Sequence, residues 1–191
     1  MYEVTHTKSK QNIRLSKFLS WLLRHGAVKD QIPIGSDGFV SVKHILNHPT
    51  LRGNFTENDI IKVVENDEKT RFAVRPNKES FDVRANQGHS IDLVKELELI
   101  PITRPDSFKC VVHSTFLTNW DKIKVEGLHR MKRNHIHFAQ SLLDTNTVTS
   151  GLRKNAEIFI YINLKCALEK GLKFFFLLME LFLVQVTTMD M

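Results

Sequence analysis

Between Lys69 and Ser90 the chain reads KTRFAVRPNKESFDVRANQGHS, and this stretch restricts the possible folds more than any other. Phe72 and Val74, then Phe81 and Val83, alternate with polar residues as in two half-buried strands, and Pro76 with Asn77 reads as the turn between them. Arg71 and Arg84 therefore fall near strand ends. Five residues without an apolar side chain come next: Asn86, Gln87, Gly88, His89 and Ser90. A packed core does not ask for such a run, so it is either an exposed loop or a ligand site. Gly88 permits backbone that other residues avoid, and the amides and imidazole both donate and accept hydrogen bonds.

Upstream, Leu15, Phe18, Leu19, Leu22 and Leu23 recur with helical spacing, and Gly26 stands where a helix would end, which predicts a helix over 13–25. Its last residues, Arg24 and His25, suit the negative end of the helix dipole. His25 also lies on the inward stripe, which predicts a buried ring facing a neighbouring element. The turn Ser36, Asp37, Gly38 leads to Phe39 and Val40, then to a short helix begun by Ser41, with Val42, Ile45 and Leu46 inward and Pro49 ending it. Thr56 and Asp59 resemble a capping box for a helix over 57–66 that buries Ile60, Ile61 and Val64. Three helices followed by a two-stranded ribbon is the element order of a winged helix. Pro101, Pro105 and Asp106 mark a boundary, giving lobes 1–100 and 108–191. The second lobe is strand-rich, with strand-like runs at 110–113, 134–138, 148–153 and 157–162 and a helix over 120–125 closed by Gly127. The class is α+β. His135 and His137 would share one strand face, but no third ligand is evident, which favours a hydrogen-bonding or structural role over a metal.

With 191 residues and 42% hydrophobic content, the chain can bury one good core or two small ones. Its net charge of +6 favours an anionic partner, nucleic acid or a phosphorylated small molecule, over a membrane. The cysteines are Cys110 and Cys166, without metal-ligand spacing, so neither a disulfide framework nor a zinc site is indicated and a reducing compartment fits. The segment MYEVTHTKSKQN lacks the apolar stretch of a signal peptide. Residues 174–184 are strongly apolar, yet they include Glu180 and fall short of the roughly 20 residues that span a bilayer. The expectation is an intracellular protein, cytoplasmic or nuclear, without metal or membrane anchor.

These motifs together resemble the RNA 2'-phosphotransferase family, NAD-dependent enzymes that remove the 2'-phosphate left at a tRNA splice junction. The resemblance rests on LSKFLSWLLRHGA (15–27), SDGFVSV (36–42), KTRF (69–72), VRANQGHS (83–90), VHST (112–115), GLHRMKRNHIHFA (127–139) and SGLRKNAEIFIYI (150–162). It implies an N-terminal winged-helix RNA lobe and a C-terminal NAD-binding lobe of ADP-ribosyltransferase type. It also implies a catalytic set of Arg24, His25, Arg71 and Arg133. In the family the RNA 2'-phosphate attacks the nicotinamide ribose carbon of NAD and expels nicotinamide; a ribose hydroxyl then attacks the phosphate and frees the RNA 2'-hydroxyl. The implied NAD contacts are His113, Ser114, Thr115, His137, Gly151 and Arg153, and Arg84, Gln87 and His89 are the candidates for holding the RNA or the junction between the lobes. The partners expected are 2'-phosphorylated tRNA and NAD as co-substrate, with the protein a monomer.

Two departures stand out. Ser114 replaces the glycine of the family's HGT motif, adding a side chain where the backbone is expected to approach NAD. Beyond Phe175 the family has a serine, a strand of the type SxNGVIL and a TxGN turn, whereas this chain reads FLLMELFLVQVTTMDM. A one-base shift of the reading frame permits FSSNGVI over Phe176 to Phe182, so the tail reads either as a frame-shifted segment or as a diverged apolar core strand. A frame-shifted tail would deprive the second lobe of a strand and leave an aggregation-prone segment. Two other functions compete: an ADP-ribosyltransferase that stops after the first step on nucleic-acid phosphates, and a non-catalytic winged-helix RNA-binding protein with a decayed NAD lobe.

Overall fold

The leucine stripe folds as predicted, but over a longer helix with a different end. In the computed structural model, which describes residues 3–95, 97, 99–108, 110–140, 152, 153, 155–177, 181–184 and 188–189, helix α1 spans Glu3–Trp21 and passes into a π-helical turn, Leu22–Gly26. Ala27 N–H bonds Leu22 O at 2.9 Å, the wide closure that defines such a turn. Leu15, Leu19, Leu22 and Leu23 remain fully buried. The wider turn carries one extra residue, which rotates the end of the helix about its axis. His25 is consequently exposed and not buried as its α-helical phase predicts, while Arg24 is half-buried.

The chain divides into two compact units, 1–97 and 98–191. In the first, β1 (Phe39–Ser41), α2 (Val42–Asn47), α3 (Glu57–Glu65), β2 (Phe72–Pro76) and β3 (Phe81–Ala85) come after α1. The predicted hairpin forms, and β1 adds to its other side, giving an antiparallel sheet in the order β1-β3-β2. Val83, central in that sheet opposite both Val40 and Val74, is fully buried, whereas Val74 is 42% exposed. Helix α3 opens with the expected box: Asp59 N–H donates to Thr56 Oγ1 at 3.3 Å and Thr56 N–H to Asp59 Oδ2 at 2.9 Å. Its buried residues are Ile60 and Val63, with Ile61 and Val64 only partly covered. One core of α1, α2 and α3 side chains against Val40, Phe72, Val83 and Ala85 holds the unit together.

The second unit contains β4 (Ile100–Ile102), β5 (Val112–Thr115), α4 (Trp120–Glu126), β6 (Leu128–His129), β7 (Ile136–Ala139), β8 (Ile158–Tyr161), α5 (Leu164–Glu169), β9 (Phe174–Leu177), β10 (Leu181–Val184) and β11 (Thr188–Met189). Six strands form an antiparallel sheet in the order β4-β9-β10-β7-β5-β8, and β11 pairs with β6. The stretch expected as a linker around Pro101 thus carries a strand, because Ile100 to Ile102 bond to β9. Of the strand predicted over 148–153, the described residues Leu152 and Arg153 lie outside any strand. Phe138 and Phe174, both essentially buried, pack at 6.0 Å between ring centroids in the centre of the unit's core.

The tail does not cost this unit a strand. Phe174 to Leu177 and Leu181 to Val184 pair with each other, and β10 then pairs with β7 from Leu181↔Ala139 to Val184↔Ile136. The apolar run supplies the two strands that connect β4 to the rest of the sheet. Among the described residues no helix is long and apolar enough to cross a membrane.

Candidate active site

The five polar residues after β3 form a strap with both ends tied to arginines. At one end Asn86 N–H donates to Arg71 O, and the Asn86 side-chain amide to Thr70 O, both at 2.8 Å. At the other, Ser90 N–H donates to Arg24 O at 2.9 Å, and Ser90 Oγ lies 2.8 Å from His25 Nδ1. Asn86 and Ser90 are four positions apart in the chain, so the two anchor points lie within about 14 Å of each other. Between them Gly88 adopts φ +83°, and a Cβ there would sit 3.5 Å from Arg24 Cδ. Glycine lets the strap take this left-handed turn while pressed against the Arg24 side chain. Arg24, His25 and Arg71, from the end of a helix and the start of a strand, are thereby brought into one neighbourhood.

Arg71 is held a second time. Its backbone N–H and its Nη1 both donate to the carboxylate of Asp67, whose side chain is 4% exposed. Thr70, between them, has φ 43°. A β-branched residue rarely adopts that conformation, at a cost of about 1 to 3 kcal/mol, and it persists where surrounding bonds over-determine it. Here Thr70 N–H donates to Asp67 O at 2.7 Å and Asn86 takes the Thr70 carbonyl. Asp67 carries no sequence signal of a site residue, and Asn86 and Ser90 lie in the polar run read as an exposed loop or a ligand site, without a role of their own.

The three residues expected to hold the RNA or the junction between the lobes are placed differently from one another. Gln87 and His89 are buried, at 9% and 2% exposure, so the strap turns these side chains into the unit. Arg84 is half-buried, its guanidinium 4.8 Å from the Phe39 ring centroid, over which Arg75 also lies at 3.9 Å.

In the second unit β5 carries His113, Ser114 and Thr115. His113 Nδ1 lies 2.8 Å from His137 O. A carbonyl only accepts, so the ring proton is on Nδ1 and Nε2 is left as an acceptor. Burial pushes the His113 pKa down, the bond to His137 opposes this, and the charges of Arg153 and Arg133 add to the depression. The balance favours the neutral ring at neutral pH. Ser114 is buried, and its Oγ accepts the Arg153 N–H at 3.0 Å. The hydroxyl that replaces the expected glycine is thus used to fasten the segment carrying Arg153, whose guanidinium lies 5.1 Å over Phe116. Thr115 Oγ1 accepts from Asn119 Nδ2 at 3.2 Å.

Arg133 leaves a turn that is closed by Arg133 N–H to Arg130 O at 3.1 Å and by Arg130 Nη1 to Arg133 O at 2.7 Å. Its side chain reaches solvent, yet the surrounding protein strips part of its hydration and the charge of Arg153 acts on it, and both pull its pKa down. Two like charges held near each other and near a neutral imidazole make a place suited to an anion that also offers hydroxyl groups. Gly151 lies outside the described residues. His137 contributes its carbonyl to His113, and among the described residues no group of three or more His, Cys, Asp or Glu could hold a metal ion.

The His113 shift has a measurable consequence. An unfolded histidine takes up its proton near pH 6.5, whereas the folded His113 does so only at lower pH. In that window the unfolded chain binds more protons, so stability is complete above about pH 6.5 and falls as the pH drops through the window. His135, also pushed down by burial and by Arg130, acts in the same sense. Melting temperatures at pH 7.5, 6.5 and 5.5 should fall in that order, and His113→Gln should flatten the slope.

Residues 10–185 match the family model described as RNA 2'-phosphotransferase, Tpt1 / KptA family. Among similar proteins, tRNA 2'-phosphotransferase 1 of Danio rerio is 39% identical over 172 residues, covering 88% of this chain and 76% of its own length. That of Mus musculus is 42% identical over 176 residues, 90% of this chain and 70% of its own length. The tRNA 2'-phosphotransferase of Saccharomyces cerevisiae is 35% identical over 162 residues, 82% of this chain and 70% of its own.

Proposed function

The chain belongs to the RNA 2'-phosphotransferase family, and from that premise we propose that it removes the 2'-phosphate from tRNA splice junctions with NAD as co-substrate. The observation that carries the reading is the strap from Asn86 to Ser90, which ties Arg71 to Arg24 and His25. A phosphate brought against a pyrophosphate-bearing co-substrate meets repulsion of several kcal/mol at an effective dielectric of about 20, and fixed cations must offset it. Arginine suits this task, since its planar fork bonds phosphate oxygens in pairs and keeps its charge.

In this reading Arg71 and Arg133 contact phosphates, Arg24 stabilises the phosphate in transfer, and His25 orients the ribose hydroxyls or moves their proton. A 2'-phosphate oxygen bonds to the anomeric carbon of the nicotinamide ribose as the bond to nicotinamide breaks. The ribose 2''-hydroxyl then bonds to phosphorus as the RNA 2'-oxygen departs and takes a proton, leaving ADP-ribose 1'',2''-cyclic phosphate. His113 Nε2, as a bare acceptor, suits a ribose hydroxyl of NAD, and Arg153 suits its pyrophosphate. The first unit serves as a winged-helix RNA lobe in which Arg84 meets the backbone of the RNA while Gln87 and His89 support the strap from within. The second unit serves as the ADP-ribosyltransferase-type lobe.

Nicotinamide release is the simplest test. The purified chain should release nicotinamide from NAD when an RNA with one internal 2'-phosphate is present and not when the same RNA lacks that phosphate. Equal release with both RNAs, or none with either, would contradict the reading.

A further inference from the structure

We propose that Asp67 is the positioning residue of the site, acting through Arg71; this rests on the reading of Arg71 as a phosphate contact. A buried carboxylate is costly unless fully bonded, and a buried ion pair is weak evidence for stability in itself. What distinguishes this one is where its two oxygens point. Oδ2 accepts the backbone N–H of Arg71 and Oδ1 accepts its Nη1, so one carboxylate fixes both the start of β2 and the direction of the guanidinium. Thr70 is bent into its left-handed conformation to allow this, with its N–H on Asp67 O. Arg71, with 32% of its side chain exposed, is thereby gripped at Nη1. A guanidinium has five N–H donors and two edges that can fork onto a pair of oxygens, Nε/Nη2 and Nη1/Nη2; with Nη1 engaged by Asp67, the Nε/Nη2 edge is the one left to a phosphate. Holding Nη1 aims that edge.

The pair also bears on charge. The Asp67 carboxylate cancels part of the Arg71 charge, so it does not act by strengthening the positive field, and orientation is what the pair supplies. Replacing the carboxylate by an amide should therefore damage turnover more than binding.

The test uses the full chain with Asp67→Asn, Asp67→Glu and Arg71→Lys. Asp67→Asn should lower kcat for removal of a 2'-phosphate label from RNA by about 10- to 100-fold, the scale of a misplaced catalytic group, with the KM for NAD within about twofold of wild type. Asp67→Glu, which keeps the charge, should recover part of the rate. In protein with ¹⁵N-labelled arginine, slow rotation about the Arg71 Cζ–Nη1 bond should give separate Nη signals. They should be absent in Arg71→Lys and collapse in Asp67→Asn. Unchanged kcat in Asp67→Asn, or a rise in KM alone, would overturn the proposal, as would Arg71 signals that survive the substitution. If the wild-type protein removes no phosphate, the transferase reading and the catalytic part of this proposal fall together. The Arg71 signals then still report separately whether Asp67 holds the guanidinium.

Discussion

Arg24→Ala is expected to lower the rate of 2'-phosphate removal by about 10²- to 10³-fold, the loss typical of removing one preorganised donor to a transition-state anion. Arg24 sits at the π-helical turn, half-buried, with the Gly88 backbone against its side chain and its carbonyl bonded to Ser90. The carbonyl bond does not depend on the side chain, so the alanine variant should keep the strap and lose the guanidinium. The folding free energy should fall by about 0.5 to 3 kcal/mol, the common range for a point substitution, because the side chain is half-buried and packs on Gly88. Arg24→Lys separates charge from shape: lysine keeps the cation but offers no planar fork, so it should restore less than a tenth of the lost rate. Single-turnover assays beside thermal melts would show both. Near wild-type turnover in Arg24→Ala would remove this arginine from the chemistry.

Deleting residues 174–191 is expected to abolish cooperative folding of the second unit. The deletion takes away β9 and β10, which link β4 to β7, and with them Phe174, 1% exposed and packed on Phe138. Loss of one buried phenylalanine alone costs about 3 to 5 kcal/mol, against a total of about 5 to 15 for an ordinary domain. The first unit has its own core and should keep its transition. Calorimetry and hydrogen exchange on the shortened chain should therefore show one surviving transition and lost protection over residues 111–139 and 158–169. Retained protection there would mean that the tail is dispensable.

Legibility in the sequence differs between backbone pattern and side-chain placement. Periodicity locates the hairpin, the capping box of α3 and the leucine face of α1, because each depends on neighbours along the chain. It misplaces His25, since an α-helical phase carries no sign of the π-helical turn that rotates the ring outward. It cannot show that Gln87 and His89 turn inward, because burial of a polar loop depends on what it packs against. Asp67 precedes Arg71 by four residues, a spacing that reads as an ordinary surface charge until the left-handed Thr70 brings the two together. The tail is the widest departure from the family pattern, yet an apolar, β-prone segment needs only a sheet edge to pair with, and β4 and β7 supply two. The family motifs, by contrast, point to Arg24, His25 and Arg71 from the sequence alone, and the strap explains why residues so far apart in the chain occur together.

The most direct measurement tracks a radiolabelled 2'-phosphate on RNA incubated with the purified chain, with and without NAD. The label is expected to leave the RNA only when NAD is present and to appear in ADP-ribose 1'',2''-cyclic phosphate. Label that remains on RNA as an ADP-ribosyl adduct, or that never moves, would contradict the assignment of this chain as a 2'-phosphate-removing transferase.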